Sequence, residues 1–281
     1  MSRNTFKKAK SNDEPKANRK QRRDARRISE DNEPQVQNYS QTFDRKPFEP
    51  LNQAQGQYAT FISSKKVTFG TGSAGTGKSY VALAMAAEAL KAGEIDRIVV
   101  VRPLVDTEDD KVGTLPGEID EKIAPYFQPA RDILCERLGA GQVQGLEKAG
   151  RIQFTPLAFL RGTTFKNCWV ILDEGQNTTV TQMKMLLTRL GRKAKLIING
   201  DTRQCDLPDN ITSGLDDAVS RFKNNPRFGM QRFMQADIVR DAFVIDVVVA
   251  YEGHDGSLGP ETQGETQDSI IEVPWIPRVA S

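Results

Sequence analysis

Residues 72–79 read Gly72-Ser73-Ala74-Gly75-Thr76-Gly77-Lys78-Ser79, follow a short apolar run at Val67–Gly70, and lead into the Ala-rich segment VALAMAAEAL. Strand, glycine loop and helix in that order form the P-loop pattern, in the context the motif requires. The glycines let the backbone turn its N–H groups inward around a β-phosphate without a Cβ clash, and the following helix N-terminus adds a positive dipole. Lys78 can reach β- and γ-phosphates, and the Ser79 hydroxyl is placed to ligate Mg²⁺.

The surrounding chain alternates between strand and helix. Strands are expected at Val67–Gly70, Arg97–Arg102, Cys168–Leu172, Lys195–Asn199 and Phe243–Tyr251, and helices at Ser79–Lys91, Glu118–Leu138, Thr179–Leu190 and Ser213–Phe222. The β-branched runs Ile98–Val101 and Val170–Leu172 lack polar alternation, as strands covered on both faces of a parallel sheet require. The fold class is therefore α/β, a mainly parallel sheet with helices on both faces. The stripe Met183, Leu186, Leu187 and Leu190 has helical spacing and is read as core packing.

Trp169-Val170-Ile171-Leu172-Asp173-Glu174 places two carboxylates at the end of an apolar strand, the edge where open α/β sheets bind ligands. Asp173 is the candidate for holding Mg²⁺, directly or through water, and Glu174 for polarising a water at the γ-phosphate. Two acids beside a P-loop suggest hydrolysis. The next strand ends in Gly200-Asp201-Thr202-Arg203-Gln204, and Gln204 is the candidate γ-phosphate sensor.

Composition narrows the rest. Of 281 residues 38% are apolar and 27% charged, the balance of a soluble globular protein, and no window approaches the apolar length of a membrane span. The first ten residues are charged where a signal peptide needs its apolar core. Three cysteines (Cys135, Cys168, Cys205), none in a CxxC pair, build neither a disulfide framework nor a zinc site, which suits a reducing cytoplasm. The single histidine, His254, lies in a Gly-rich polar stretch, so triads built on histidine are excluded unless it takes part. Residues 1–30 carry eleven Lys/Arg against four acids, within a chain whose net charge is only +2. With few apolar residues before Phe48, residues 1–45 are expected to form a basic disordered arm, either holding phosphate backbones or serving as a solvated tail. Residues 46–252 are expected to form the P-loop ATPase domain and 253–281 an acidic, polar C-terminal tail. The acidic loop Asp106–Lys111 lacks the spacing of a calcium loop and is read as solvated surface.

Taken in order, LNQAQ with Tyr58, GSAGTGKS, VVVRP, LPG with EKIAPYFQP, ILDEGQNTT, QMKMLLTRLG, GDTRQCDLP, SGL and DIVRD resemble the PhoH family of P-loop ATPases, relatives of the superfamily-one helicase core. The resemblance spans about Pro50–Tyr251. It implies a RecA-like fold, ATP binding and hydrolysis, and a link to RNA or single-stranded DNA. It also implies that Gln55 holds the adenine edge, and it marks Arg102, Arg189 and Arg240 as arginines in family motifs. Departures are Ser79 where Thr is usual, Gly175 where Ala is usual, and Asp241 where His is usual.

Phosphoryl transfer to water commonly uses an arginine from outside the P-loop, contributing about 10³–10⁵ in rate. The core has room for one RecA-like domain, so the expectation is a homo-oligomer, a ring, with Arg240 or Arg189 supplied by a neighbouring copy. Two other classes share the P-loop: a nucleotide-dependent assembly protein with little hydrolysis, and a nucleotide kinase, which needs an acceptor pocket and an arginine-rich lid but not the Glu174 and Gln204 pair.

Overall fold

The computed structural model describes residues 46–104 and 119–240, together with Phe243. The arm 1–45, the loop Asp106–Lys111, the LPG motif, Asp241, His254 and the tail 253–281 lie outside the described residues, as does the strand expected at Phe243–Tyr251 apart from Phe243 itself.

Among the described residues, twelve α-helices and strands follow in chain order: α1 Gln53–Ser64, β1 Val67–Gly72, α2 Lys78–Lys91, β2 Arg97–Arg102, α3 Ile119–Leu138, α4 Ala140–Lys148, β3 Ile152–Pro156, β4 Cys168–Leu172, α5 Val180–Leu187, β5 Lys195–Gly200, α6 Gly214–Phe222 and β6 Phe228–Phe233. The strands form one six-stranded sheet in the order β3-β2-β4-β5-β1-β6. Every pair is parallel, and one row of the register runs Gln153, Val99, Val170, Leu196, Val67, Phe228. The expected parallel α/β architecture is therefore the observed one.

Alternate strand residues feed two separate cores, because successive side chains leave a strand on opposite faces. On one face Ile98, Val100, Trp169, Ile171 and Ile197 pack with Tyr58 and Ile62 of α1, the alanines of α2, and Ile123, Phe127, Ala130, Leu134 and Leu138 of α3. The α3 residues recur every three or four positions, which keeps them on one helical stripe. On the other face Val99, Val101, Val170, Leu172, Leu196 and Ile198 pack with Met183 and Leu186 of α5 and Leu215 and Ala218 of α6. The aliphatic stripe of α5 is core packing, as its spacing predicts.

The helix expected at Thr179–Leu190 is shorter. Thr179 caps it, accepting from the Gln182 backbone while Gln182 caps back. It stops at Leu187 because the Thr188 hydroxyl turns back onto the Lys184 and Met185 carbonyls and Leu190 leaves to bridge Phe165. The edge strands β3 and β6 are not anticipated by the apolar-run criterion. Each is wet on one side, with Gln153 and Arg232 exposed, so polar residues interrupt both.

At the end of β1 the chain passes close beside β6. Gly72 has φ +112°, and a Cβ there would lie 2.0 Å from the Phe233 carbonyl oxygen. Gly72→Ala combines a left-handed backbone with an atomic overlap against main chain, and is expected to cost about 2 kcal/mol or more in urea denaturation. A variant within about 0.5 kcal/mol of wild type would contradict the packing of β1 against β6.

Candidate nucleotide-binding site

The carboxyl ends of β4, β5 and β1 lie side by side, and the loops leaving them line a cleft of about 540 Å³. Its walls include Gly75, Gly77, Lys78, Ser79, Asp173, Glu174, Asp201, Gln204 and Arg240. Residues from four separated motifs thus converge on one cavity.

The glycine loop wraps the Lys78 ammonium. Lys78 Nζ donates to the Gly72 and Ser73 carbonyls, 2.6 Å each, and Gly77 enters α2 at φ +84° with no side-chain cap. Burial lowers the Lys78 pKa, opposed by the charges of Asp201, Asp173 and Glu174, while Arg203 adds to the lowering. A buried cation in a ring of backbone groups, facing three carboxylates, suits a polyanion that arrives with its own metal.

Ser79 Oγ donates to Asp173 Oδ1 at 2.6 Å. Two oxygens that close can become neighbouring ligands of an octahedral Mg²⁺, whose adjacent ligands stand about 2.9 Å apart. Such a metal takes one or two protein oxygens and completes its shell with phosphate and water. Among the described residues no cluster of three or more His, Cys, Asp or Glu side chains could hold a metal by itself. Asp173 is half-buried at the floor of the cleft, and its pKa is raised, first by loss of solvent and then by Glu174, against the Ser79 hydrogen bond and the charges of Arg102 and Lys78.

Gln55 is buried under the loop. Its Nε2 donates to the Thr76 carbonyl at 3.0 Å and its Oε1 accepts from the Leu51 backbone at 2.9 Å. The carboxamide that the family resemblance assigns to adenine therefore braces the phosphate loop. A side bay of about 490 Å³, lined by Lys46, Phe48, Tyr80 and Arg137, adjoins the cleft through Leu51, Gln55 and Tyr80.

The arginines separate. Arg240 lies against Gly75 of its own chain, where an added Cβ would meet its Cγ at 3.1 Å. Val239 N bonds the Gly75 carbonyl at 3.1 Å and holds this segment on the loop. Arg189 sits at the turn after α5 and is not among the residues lining the cleft. Arg203, which the sequence reading passed over, donates to Ser73 Oγ at 2.6 Å and so ties the β5 loop to the P-loop.

The more telling omission is Gln176. It is almost wholly buried; its Nε2 donates to Glu174 Oε2 at 2.7 Å and to the Gln204 carbonyl at 3.0 Å, and its Oε1 accepts from the Asp201 backbone at 3.1 Å. Asn177 exchanges two bonds with Asp206 on the same loop. Gln176 thereby couples the acidic pair to the loop of Gln204, which is itself exposed. The available signal is two amides separated by a single glycine from two acids, and local sequence does not mark them as a buried bridge. Glu174 is left-handed, φ 55°, and opens the short 3₁₀ turn Gly175–Asn177 that aims these amides.

Residues 47–252 match the family described as PhoH-like protein. Protein PhoH of Escherichia coli (strain K12) is 47% identical over 210 residues, 74% of this chain and 59% of its own length. The PhoH-like protein of Bacillus subtilis (strain 168) is 43% identical over 198 residues, 70% of this chain and 62% of its own. The chain thus spans about three-fifths of the curated relatives it matches. Among solved structures, the Pif1 helicase from Candida albicans aligns with 66% of this chain and 41% of its own at 17% identity and TM-score 0.35.

The raised Asp173 pKa has a testable sign. Its folded-state value lies above its unfolded one, so its ionised form opposes folding at neutral pH and does so no longer below the unfolded carboxylate pKa. Asp173→Asn, which can still accept from Ser79, is expected to raise the urea midpoint at pH 7 and to lose that advantage as pH falls below about 4. A midpoint at pH 7 below that of wild type would contradict the assigned burial.

Proposed function

Since this chain belongs to the PhoH-like protein family, we propose that it binds ATP with Mg²⁺ and hydrolyses it, in a cycle coupled to RNA or single-stranded DNA. The observation that carries the reading is the contact of Ser79 with Asp173 at 2.6 Å, directly beside the loop that encloses Lys78. It joins a triphosphate cradle to a metal-ligating pair across two strands far apart in sequence.

In this reading the loop amides and Lys78 hold the β- and γ-phosphates, while Ser79 and Asp173 hold the metal, which neutralises charge on the phosphates when bound. Glu174 orients the water whose oxygen attacks the γ-phosphorus, and the bridging oxygen leaves with ADP. Gln176 keeps the Glu174 carboxylate in register with the loop carrying Gln204, so that both face the same phosphate. The side bay at Tyr80 and Phe48 is large enough for the base, and its aromatic rings suit stacking. Arg240 supplies a cation at Gly75 from its own chain, so a ring of copies is not required for that charge. Among the described residues no helix is long and apolar enough to cross a membrane.

Phosphate release from ATP is the direct assay. Glu174→Gln is expected to lower turnover by about 10²-fold or more while leaving ATP affinity nearly unchanged, and Lys78→Ala to abolish tight binding. Almost no phosphate release by wild type would leave a nucleotide-dependent assembly protein as the better reading, and phosphate appearing on a nucleoside would make it a kinase. Because Arg240 lies on its own P-loop, mixing Arg240→Ala chains with Lys78→Ala chains should not restore activity. Recovery on mixing would return the arginine to a neighbouring copy.

A further inference from the structure

Glu174 is engaged at both carboxylate oxygens. Gln176 donates to Oε2 at 2.7 Å, and Arg102 Nη2 lies 3.4 Å from Oε1. Arg102 is the last residue of β2, and its Nη1 donates to the Tyr126 carbonyl of α3 at 2.7 Å. The two contacts of this guanidinium are unequal. The bond to Tyr126 is short and fixes the arm, whereas the approach to Glu174 is longer than the 2.7–2.9 Å usual for a charge-assisted bond. The arginine side chain is 26% exposed and the glutamate 36%, and ion pairs open to water in this way are weak and exchangeable. A phosphodiester can take two guanidinium N–H groups at once, a geometry the present contact does not offer Glu174.

We propose that Arg102 is a restraint on Glu174 that a nucleic-acid backbone phosphate removes. Without polynucleotide, the guanidinium holds Glu174 Oε1 toward the end of β2. A phosphodiester arriving at that end of the sheet takes the guanidinium over, and Glu174, still positioned by Gln176 through its other oxygen, becomes available to the attacking water. Arg102 is thus a positioning residue that couples strand binding to hydrolysis. The inference rests on the ATPase reading of the cleft and adds to it the route by which a polynucleotide acts on the acidic pair.

The test compares phosphate release by wild type, Arg102→Ala and Arg102→Lys, with ATP titrated, alone and with poly(U) or oligo(dT). Wild type is expected to be stimulated by at least one of the two, and which one names the polymer. Arg102→Ala is expected to turn over about tenfold faster than wild type in the absence of polymer, at unchanged KM for ATP, and to respond to neither polymer. Its log–log salt dependence of polymer binding should be shallower by about one, the signature of one lost phosphate contact. Arg102→Lys keeps the charge without the fork and should fall between the two. Slower basal turnover in both variants, or stimulation that survives in Arg102→Ala, would overturn the restraint. A wild type that hydrolyses ATP but ignores both polymers overturns the restraint alone. A wild type that releases no phosphate overturns the ATPase reading and the restraint with it.

Discussion

Strand β4 is buried along its whole length, Cys168 to Leu172, with helices over both of its faces. No charge can be carried inside such a strand without a large desolvation cost, so charge begins only where the strand ends, at Asp173. The same constraint acts on β1 and β5, whose buried runs give way to the glycine loop and to Asp201. Because all three strands are parallel, their ends lie on one edge of the sheet, and the order β4-β5-β1 sets the acidic pair, the Asp201–Gln204 loop and the glycine loop next to one another. The site follows from where apolar burial has to stop.

That edge is electrostatically uneasy. Lys78 is pulled down by burial and pushed up by carboxylates, and Asp173 is pushed up by burial and by its acidic neighbour. Asn199 Nδ2 and Asp201 Oδ2 are buried without hydrogen-bond partners among the described residues, although Asn199 Oδ1 accepts from the Tyr58 hydroxyl. Burial, followed by the Asp173 charge, holds the Tyr58 phenol neutral well beyond its usual range. Unmet polar capacity at the ends of these strands is what a polar ligand could satisfy.

Much of the fold was readable because fully buried strands leave a plain trace. Arg97–Arg102 and Cys168–Leu172 were bounded to the residue, since β-branched runs with no polar interruption have few other uses. The edge strands β3 and β6 escaped, as half-wet strands mix polar and apolar residues as loops do. The helix α1 escaped too, because QAQGQYATFISS hides its buried Tyr58 and Ile62 among amides and hydroxyls. In the site, residues with intrinsic chemistry were legible and bridging residues were not. Lys78, Ser79 and Asp173 announce themselves by type and spacing. Gln176 is marked only by what it touches, and contact across 28 positions of chain to Gln204 is not written in local sequence. Arg240 was legible as a motif letter, but its reach to Gly75 of the same chain depends on how the segment after β6 folds back.

The left-handed backbone at Glu174 carries an evolutionary consequence. A residue with a branched-off Cβ held at φ 55° stores about 1 kcal/mol or more of conformational strain, which glycine or asparagine would relieve. With Glu174 in the role proposed above, selection for robustness alone would drift away from glutamate here and selection for turnover would pull it back. Under that proposal hardiness and catalysis are traded against each other at this position, and a thermally hardened, idle form of the protein would lie a single codon change away.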